Sequence, residues 1–409
     1  MAKNIPDNLD PATRLVLGGR KGDWTGTPGH PHAVVNPAVW RASTHLYPDI
    51  AALHEGHKTN ADGRFYYGRR GAPTQWALAD ALTELEVGAA GTMLYPSGLA
   101  AVAGVLLALL RPGDVLLLTD NAYEPTRTLA RTVLKDMGIE TRWFDPLDPA
   151  GLDAAMDDRA KVLFLESPGS LTMEVQDVPA MAAAAKARGL TVVLDNTWAS
   201  ALGFAGLQHG ADITVMSLSK HVGGHSDLML GSASAGPDQY AKLRRHAQIL
   251  GTYVSPDDCA LALRGLRTMG MRLAQCTATA LALAQWLEGQ GSIARVLCPM
   301  LPGSPGHDLW ARDFTGGCGL FSLVFRGGSA AQRDAFIDAL SLFGIGYSWG
   351  GFESLATPLD PASIRTASAW PLTGMDPADK FGVRLSIGLE ASADLQADLA
   401  RGLSAWAQS

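Results

Sequence analysis

Five short apolar runs dominate the middle of this chain: GTMLYPSG, DVLLLTD, KVLFLESP, TVVLDNTW and DITVMSLSK. Each closes on polar or turn-forming residues, and helix-length stretches separate them. Runs of this length, rich in β-branched residues, are strands buried on both faces, and such strands belong to a parallel sheet covered by helices. The expected architecture is therefore α/β. One separator is legible as a helix: in DVPAMAAAAKARG, Asp177 caps the start, Pro179 lies in the first turn, alanines carry the middle, and Gly189 stops it.

With 409 residues, 47 % of them hydrophobic, the chain can bury a large core in two or three folding units. Residues 1–64 are rich in Pro, His, Asn and Gly with little periodicity, and read as an arm that is ordered only by lying on something else. A sheet domain over 65–257 follows, then a smaller α+β domain over 258–409. In that last part, CALALRGLRTMGMRLAQCTATALALAQWLEGQG reads as one long amphipathic helix, and GLFSLVFRG and FGVRLSIGL read as strands.

Lys and Arg total 33 against 40 Asp and Glu, with no basic tract, which argues against nucleic acid or an anionic membrane as partner. The longest apolar run, LAAVAGVLLALL, is too short to cross a bilayer, and the opening MAKNIPDNLDPATRL lacks the apolar core of a signal peptide. The four cysteines are widely spaced, as expected of reduced thiols. A cytoplasmic protein is expected.

Ligands of open parallel sheets collect at the carboxyl ends of the strands. The polar residues there are Ser97 and Gly98, Tyr123, Asp195, and the group Ser217, Ser219 and Lys220. A lysine at the edge of an apolar sheet is disfavoured as a cation, so its amine can attack an aldehyde. The aldehyde such chemistry most often uses is pyridoxal 5'-phosphate, whose ring nitrogen needs a carboxylate; Asp195 can supply it. The turn YPSG running into a helix, with Ser217 and Ser219, suits a phosphate, and Tyr123 can stack on the ring.

Each residue alone has a plainer reading: a lysine before glycines is a turn, Asp195 a helix cap, Tyr123 ordinary packing. Other chemistries fare worse. GYSWG at 346–350 matches the nucleophile elbow of serine hydrolases, but no histidine follows His307 to complete a triad in that order. HVGGH spaces His221 and His225 like a zinc helix, but glycines interrupt the helix, so no metal is expected. A non-catalytic cofactor-binding protein would have no evident reason to keep Lys220, Asp195, Tyr123 and Arg384 together.

The motifs FYYGRRGAPT, AYEPT, FLESPGSLTMEV, VLDNTWAS, LSKHVGGHSDLMLG, RGLRTMGMRL, YSWGGFESL and RLSIGLE occur in an order, and over nearly the whole chain from about residue 40, that resembles the Cys/Met-metabolism (trans-sulfuration) family of pyridoxal-phosphate enzymes. The resemblance implies the fold type I, aspartate aminotransferase-like architecture, with a mostly parallel seven-stranded sheet and a smaller C-terminal α+β domain. It implies Lys220 as the cofactor-binding lysine and proton shuttle, Asp195 at the ring nitrogen, Tyr123 on the ring, and the amides of Gly98 and Leu99 with Ser217 and Ser219 at the phosphate.

It also implies that Tyr67 and Arg69 reach a neighbouring subunit's site in a homotetramer built from site-sharing dimers. Arg384 would clamp a small amino acid's α-carboxylate beside Ser348 and Trp349. ESPGSLTMEV, DNTW and YSWGGFES resemble the branch that breaks the Cβ–S bond of cystathionine or related cysteine S-conjugates, with the γ-acting branch as the alternative. One departure is Gln248, where familiar β-lyases carry a tyrosine, and it bears on substrate preference.

Overall fold

The computed structural model describes residues 9–27, 29, 31–58, 63–363, 365–372 and 374–409. The chain divides into two compact units, one of Met1–Ala108 with Asp212–Gly270 and one of Leu109–Ala211 with Met271–Ser409. Among the described residues the larger sheet has strands β1 (Gly91–Tyr95), β2 (Val115–Thr119), β3 (Glu140–Phe144), β4 (Ala160–Glu166), β5 (Thr191–Asp195), β6 (Ile213–Ser217) and β7 (Gly231–Ala235), in the order β1-β7-β6-β5-β4-β2-β3.

The five apolar runs are β1, β2, β4, β5 and β6. β2 pairs parallel with β3 and β4, and β4 with β5, whereas β7 runs antiparallel to both β1 and β6. β3 is the edge strand, and its sequence ETRWF is mostly half-exposed. β7, GSASA, has no β-branched residue to announce it, yet it is buried throughout. Its small residues are a steric requirement: a Cβ on Gly231 would lie 2.2 Å from the Ser97 carbonyl oxygen.

In the first unit the helix Pro73–Leu85 buries Ala77, Leu78, Ala81 and Leu82. The preceding arm lies on this helix. Trp40 N–H donates to Thr74 Oγ1 at 2.8 Å, Thr74 Oγ1 donates to the Ala38 carbonyl at 2.8 Å, and Phe65 sits between Trp40 and Trp76 at ring separations of 5.6 and 5.4 Å. The expected single helix after residue 258 is instead two, Pro256–Leu266 and Met269–Glu288. Close packing accompanies the break, since a Cβ on Gly265 would lie 2.2 Å from the Val222 carbonyl oxygen.

In the second unit the helix Val178–Ala187 forms as its sequence demands. Asp177 accepts the Ala180 N–H at 3.2 Å, and Gly189 ends the segment at φ +77°. The smaller sheet has strands β8 (Ile293–Leu297), β9 (Leu320–Phe325), β10 (Gly344–Ile345), β11 (Leu355–Leu359) and β12 (Gly382–Ser386), in the order β10-β11-β12-β9-β8. Phe321, Phe325, Phe336, Leu395, Leu399 and Trp406 fill its core, with Trp406 stacked on Phe325 at 3.8 Å. Each large apolar side chain buried there contributes about 2 kcal/mol.

One polar knot inside this unit joins the end of β2 to the β11–β12 connection. Asp120, fully buried, accepts from the backbone N–H groups of Thr366, Ala367 and Ser368 and from both hydroxyls, Thr366 Oγ1 at 2.6 Å and Ser368 Oγ at 2.8 Å. Arg127, also fully buried, donates to Asp120 Oδ1 at 2.9 Å and lies 4.2 Å over the Trp143 ring. Beside it Arg365 pairs with the buried Glu174 at 2.8 Å.

Burial pushes the Asp120 carboxyl up, but the donors from Thr366, Ala367 and Ser368 outweigh it and hold the group well below the ordinary carboxylate range. A depressed carboxyl stabilises the fold above its unfolded-state pKa and loses that contribution as pH falls toward the folded value. Asp120→Asn is therefore expected to cost about 3 kcal/mol at neutral pH, because it takes from the buried Arg127 its nearest counter-charge and leaves only Glu124 at 3.5 Å. In denaturation at a series of pH values, the gap from wild type should narrow below about pH 4; a gap that stayed constant would refute the assignment.

Candidate active site

The first unit supplies a cradle for an anion. Ser97 caps the helix Gly98–Leu109, its Oγ accepting from Ala100 N–H at 3.1 Å. The cap leaves the first-turn N–H groups of Gly98 and Leu99 at the positive end of a 12-residue helix. Gly98 is obligatory: a Cβ there would lie 2.7 Å from the Ser217 Cβ. Ser217 ends β6, and the chain then coils tightly, with Lys220 N–H donating to the Ser217 carbonyl at 3.2 Å and Gly224 N–H to the Lys220 carbonyl at 2.8 Å. Lys220 is half-buried.

Ser219, on the same turn, is tied to the entry of β7. Its Oγ donates to the Leu230 carbonyl at 3.1 Å and accepts from the Leu230 N–H at 2.9 Å. The hydroxyl hydrogen is thus spent on bracing the lysine turn against the entry to β7. A helix start, a Cβ-free approach, a hydroxyl at a strand end and one lysine together form a donor set that fits a phosphorylated aldehyde.

Tyr67 and Arg69 stand in the same unit on the turn Gly68–Arg70. The Arg69 guanidinium lies 5.9 Å from the Tyr67 ring and donates to the Gln248 carbonyl at 2.5 Å. With Arg41, Ser43, Tyr253 and Asp257 they line a groove of about 690 Å³. Gln248 is near the end of the helix Pro237–Ile249, so its backbone, rather than its amide side chain, makes the contact with Arg69.

The second unit groups Tyr123, Asp195 and Arg384. Asp195 ends β5, and its Oδ1 accepts from Thr197 N–H at 3.0 Å and Thr197 Oγ1 at 2.5 Å. Burial pushes its carboxyl above the ordinary range, and the two Thr197 donors, which favour the ionised form, offset only part of that rise. Tyr123 precedes the helix Glu124–Leu129. Burial raises its phenol, the charges of Glu166 and Asp195 add to the rise, and Arg384 opposes it, so these four groups share one electrostatic neighbourhood.

Glu166 was not singled out from the sequence, although it ends KVLFLE as Asp195 ends TVVLD. It is the register partner of Asp195 across β4 and β5, and its Oε2 accepts the Tyr123 N–H at 2.7 Å. Burial pushes its carboxyl well up, and Asp195 pushes it further.

Arg384 lies on β12 between Thr357 of β11 and Ser322 of β9, and is 8 % exposed. Its Nη2 donates to the Tyr347 carbonyl at 2.8 Å, and it makes no ion pair among the described residues. Ser348 and Trp349 follow Tyr347 directly, and the turn is tied back by Gly350 N–H to Ser386 Oγ at 3.3 Å. Burial lowers the Arg384 pKa, the mark of a guanidinium held out of water without a carboxylate.

Known proteins are similar to this chain over most of its length. Residues 24–404 match the family model described as Cys/Met metabolism PLP-dependent enzyme. A cystathionine β-lyase of Salmonella typhimurium is 41 % identical over 96 % of this chain and 98 % of its own. One of Bordetella avium is 41 % identical over 91 % and 92 %. A cystathionine γ-synthase of Xanthomonas oryzae pv. oryzae, solved in complex with cystathionine, superposes with a TM-score of 0.87 at 33 % identity, covering 99 % of this chain and 100 % of that one. The architecture is accordingly that of the pyridoxal-phosphate transferase fold.

A charge buried for a ligand burdens the free protein. Arg384→Leu is expected to hold or raise the thermal midpoint while removing any stabilisation by small α-amino acids. A loss of about 3 kcal/mol or more in the unliganded protein would instead make Arg384 part of a structural ion network.

Proposed function

Because the chain belongs to the Cys/Met metabolism PLP-dependent enzyme family, we propose that it is a carbon–sulfur β-lyase that cleaves L-cystathionine, or a related cysteine S-conjugate, with one water to a thiol, pyruvate and ammonia. The observation that carries this reading is Arg384, a nearly dry guanidinium with only a backbone carbonyl as partner, in the field of Tyr123. An α-carboxylate is the planar, bidentate anion it lacks. The choice of β- over γ-cleavage is supported by the β-lyases of Salmonella and Bordetella, which are more similar to this chain than the γ-synthase is.

Pyridoxal phosphate, when bound, supplies the electron sink that weakens the Cα–H bond and then the Cβ–S bond. Lys220 holds the cofactor and its amine moves the Cα proton. Asp195, kept anionic by Thr197, holds the proton on the ring nitrogen. Tyr123 covers the ring. The amides of Gly98 and Leu99 with Ser217 and Ser219 hold the phosphate, and Ser219 also keeps the lysine turn in place. Arg384 fixes the α-carboxylate, with Ser348 and Trp349 beside it.

The exposed groove at Tyr67 and Arg69 supports a second copy of the chain as the neighbour of this face. We place Tyr67 and Arg69 in that copy's site, the arm 1–64 across the dimer, and two such dimers in a homotetramer. Four free, buried thiols suit a reducing, cytoplasmic compartment. Among the described residues no helix is long and apolar enough to cross a membrane.

The purified protein is expected to absorb near about 420 nm and to form pyruvate from L-cystathionine in a lactate dehydrogenase-coupled assay. Lys220→Ala should lose that band and about 10²- to 10⁴-fold in turnover. A band without pyruvate would move the reaction to γ-chemistry, and a Lys220→Ala protein that behaves like wild type would overturn the reading.

A further inference from the structure

Two carboxyl groups stand at the ends of neighbouring parallel strands, and the proposed reaction uses only one. Glu166 and Asp195 are register partners, so their side chains leave the sheet on the same face. Like charges so placed at the half-buried ends of neighbouring strands disfavour one another, so one of the two carries its proton more readily than an isolated carboxyl does. Asp195 takes an N–H and an O–H from Thr197 on a single oxygen. Glu166 takes the Tyr123 N–H at 2.7 Å, and the Ser170 N–H also faces it.

On the reading that Asp195 serves the ring nitrogen, we propose that Glu166 is a positioning residue which keeps its proton beside the ionised Asp195 and anchors the backbone of Tyr123. A protonated carboxyl still accepts a hydrogen bond through its carbonyl oxygen, so holding a proton and holding Tyr123 are compatible. The titratable and charged groups facing Glu166 within its unit are consistent with this. Asp195 on β5 disfavours its charge, the Tyr123 phenol stays neutral, and Arg384 on β12 acts on Tyr123. The arrangement fixes the stacking tyrosine without adding a second negative charge next to Asp195, where it would compete for the ring nitrogen's proton.

The test uses the full-length protein as purified, with Glu166→Gln and Glu166→Ala. At neutral pH the infrared spectrum of wild type should contain a protonated-carboxyl C=O band that both variants lack. Glu166→Ala should weaken cofactor retention about fivefold to tenfold, the worth of one hydrogen bond, and Glu166→Gln, neutral and still an acceptor, should restore it to within about twofold. The pH midpoint of the visible band should be the same in Glu166→Gln and wild type to within about 0.3 unit.

A missing infrared band overturns the proposal. So does a midpoint lowered by about one unit in Glu166→Gln, which would mean that an anion had been removed. A Glu166→Gln protein as defective as Glu166→Ala refutes it too. If Glu166→Ala does not fold, the infrared comparison of wild type with Glu166→Gln decides alone. Protein with no visible band in any form would sink the cofactor reading, and the infrared band would still report the proton on Glu166.

Discussion

A strand buried on both faces of a parallel sheet has room for polar side chains only at its ends, and everything chemical in this molecule follows from that constraint. β2, β4 and β5 bury apolar runs completely, and the first carboxyls after those runs are Asp120, Glu166 and Asp195. A mid-strand carboxylate would cost several kcal/mol without a partner. The parallel direction of these three strands puts all of these ends at one edge, so the fold gathers the carboxyls before any selection for function acts.

Two buried arginines show how that edge divides between structure and chemistry. Arg127 has an ion pair, a carbonyl, a hydroxyl and an aromatic face, and its counter-ion Asp120 is saturated by the 366–368 turn. It holds the segment that carries Tyr123. Arg384 is as dry, yet a single backbone carbonyl is its partner. Nearly equal burial with opposite satisfaction marks Arg127 as a residue of the fold and supports the ligand role proposed for Arg384. The contrast also locates the site more sharply than burial alone could, because a protein does not leave a cation unpaired in its interior without a use for it.

The strand-end rule made much of this legible in the sequence. It selected Gly98, Tyr123, Asp195, Ser217 and Lys220, each close behind an apolar run, and the helix Val178–Ala187 was readable from its cap to its stop. It equally covered Glu166, which was overlooked because ESP reads as a turn signal, and two adjacent carboxyls become a pair only once register is known. Arg384 and Tyr67 had no local signal: one stands in an ordinary strand, the other in a turn that reads as solvated. Their candidacy came from the resemblance to a family. β7 and the break after Leu266 were hidden for a steric reason, since both depend on glycines whose neighbours are distant in sequence.

Those glycines and serines answer why a lysine stands among small residues at 217–224. A Cβ on Gly98 would collide with Ser217, one on Gly231 with the Ser97 carbonyl, and one on Gly265 with the carbonyls of Val222 and Gly223. The cap of the Gly98 helix, the end of β6, the start of β7 and the lysine turn therefore approach as backbone against backbone. Hydrophobicity and propensity have nothing to say about such contacts, because one side of each is a glycine backbone. What they create is a rim of closely packed backbone around the Lys220 turn, with Ser219 tying that turn to Leu230. The role proposed for Lys220 is favoured by such a rim, because an attachment point works best when the groups around it are held in place.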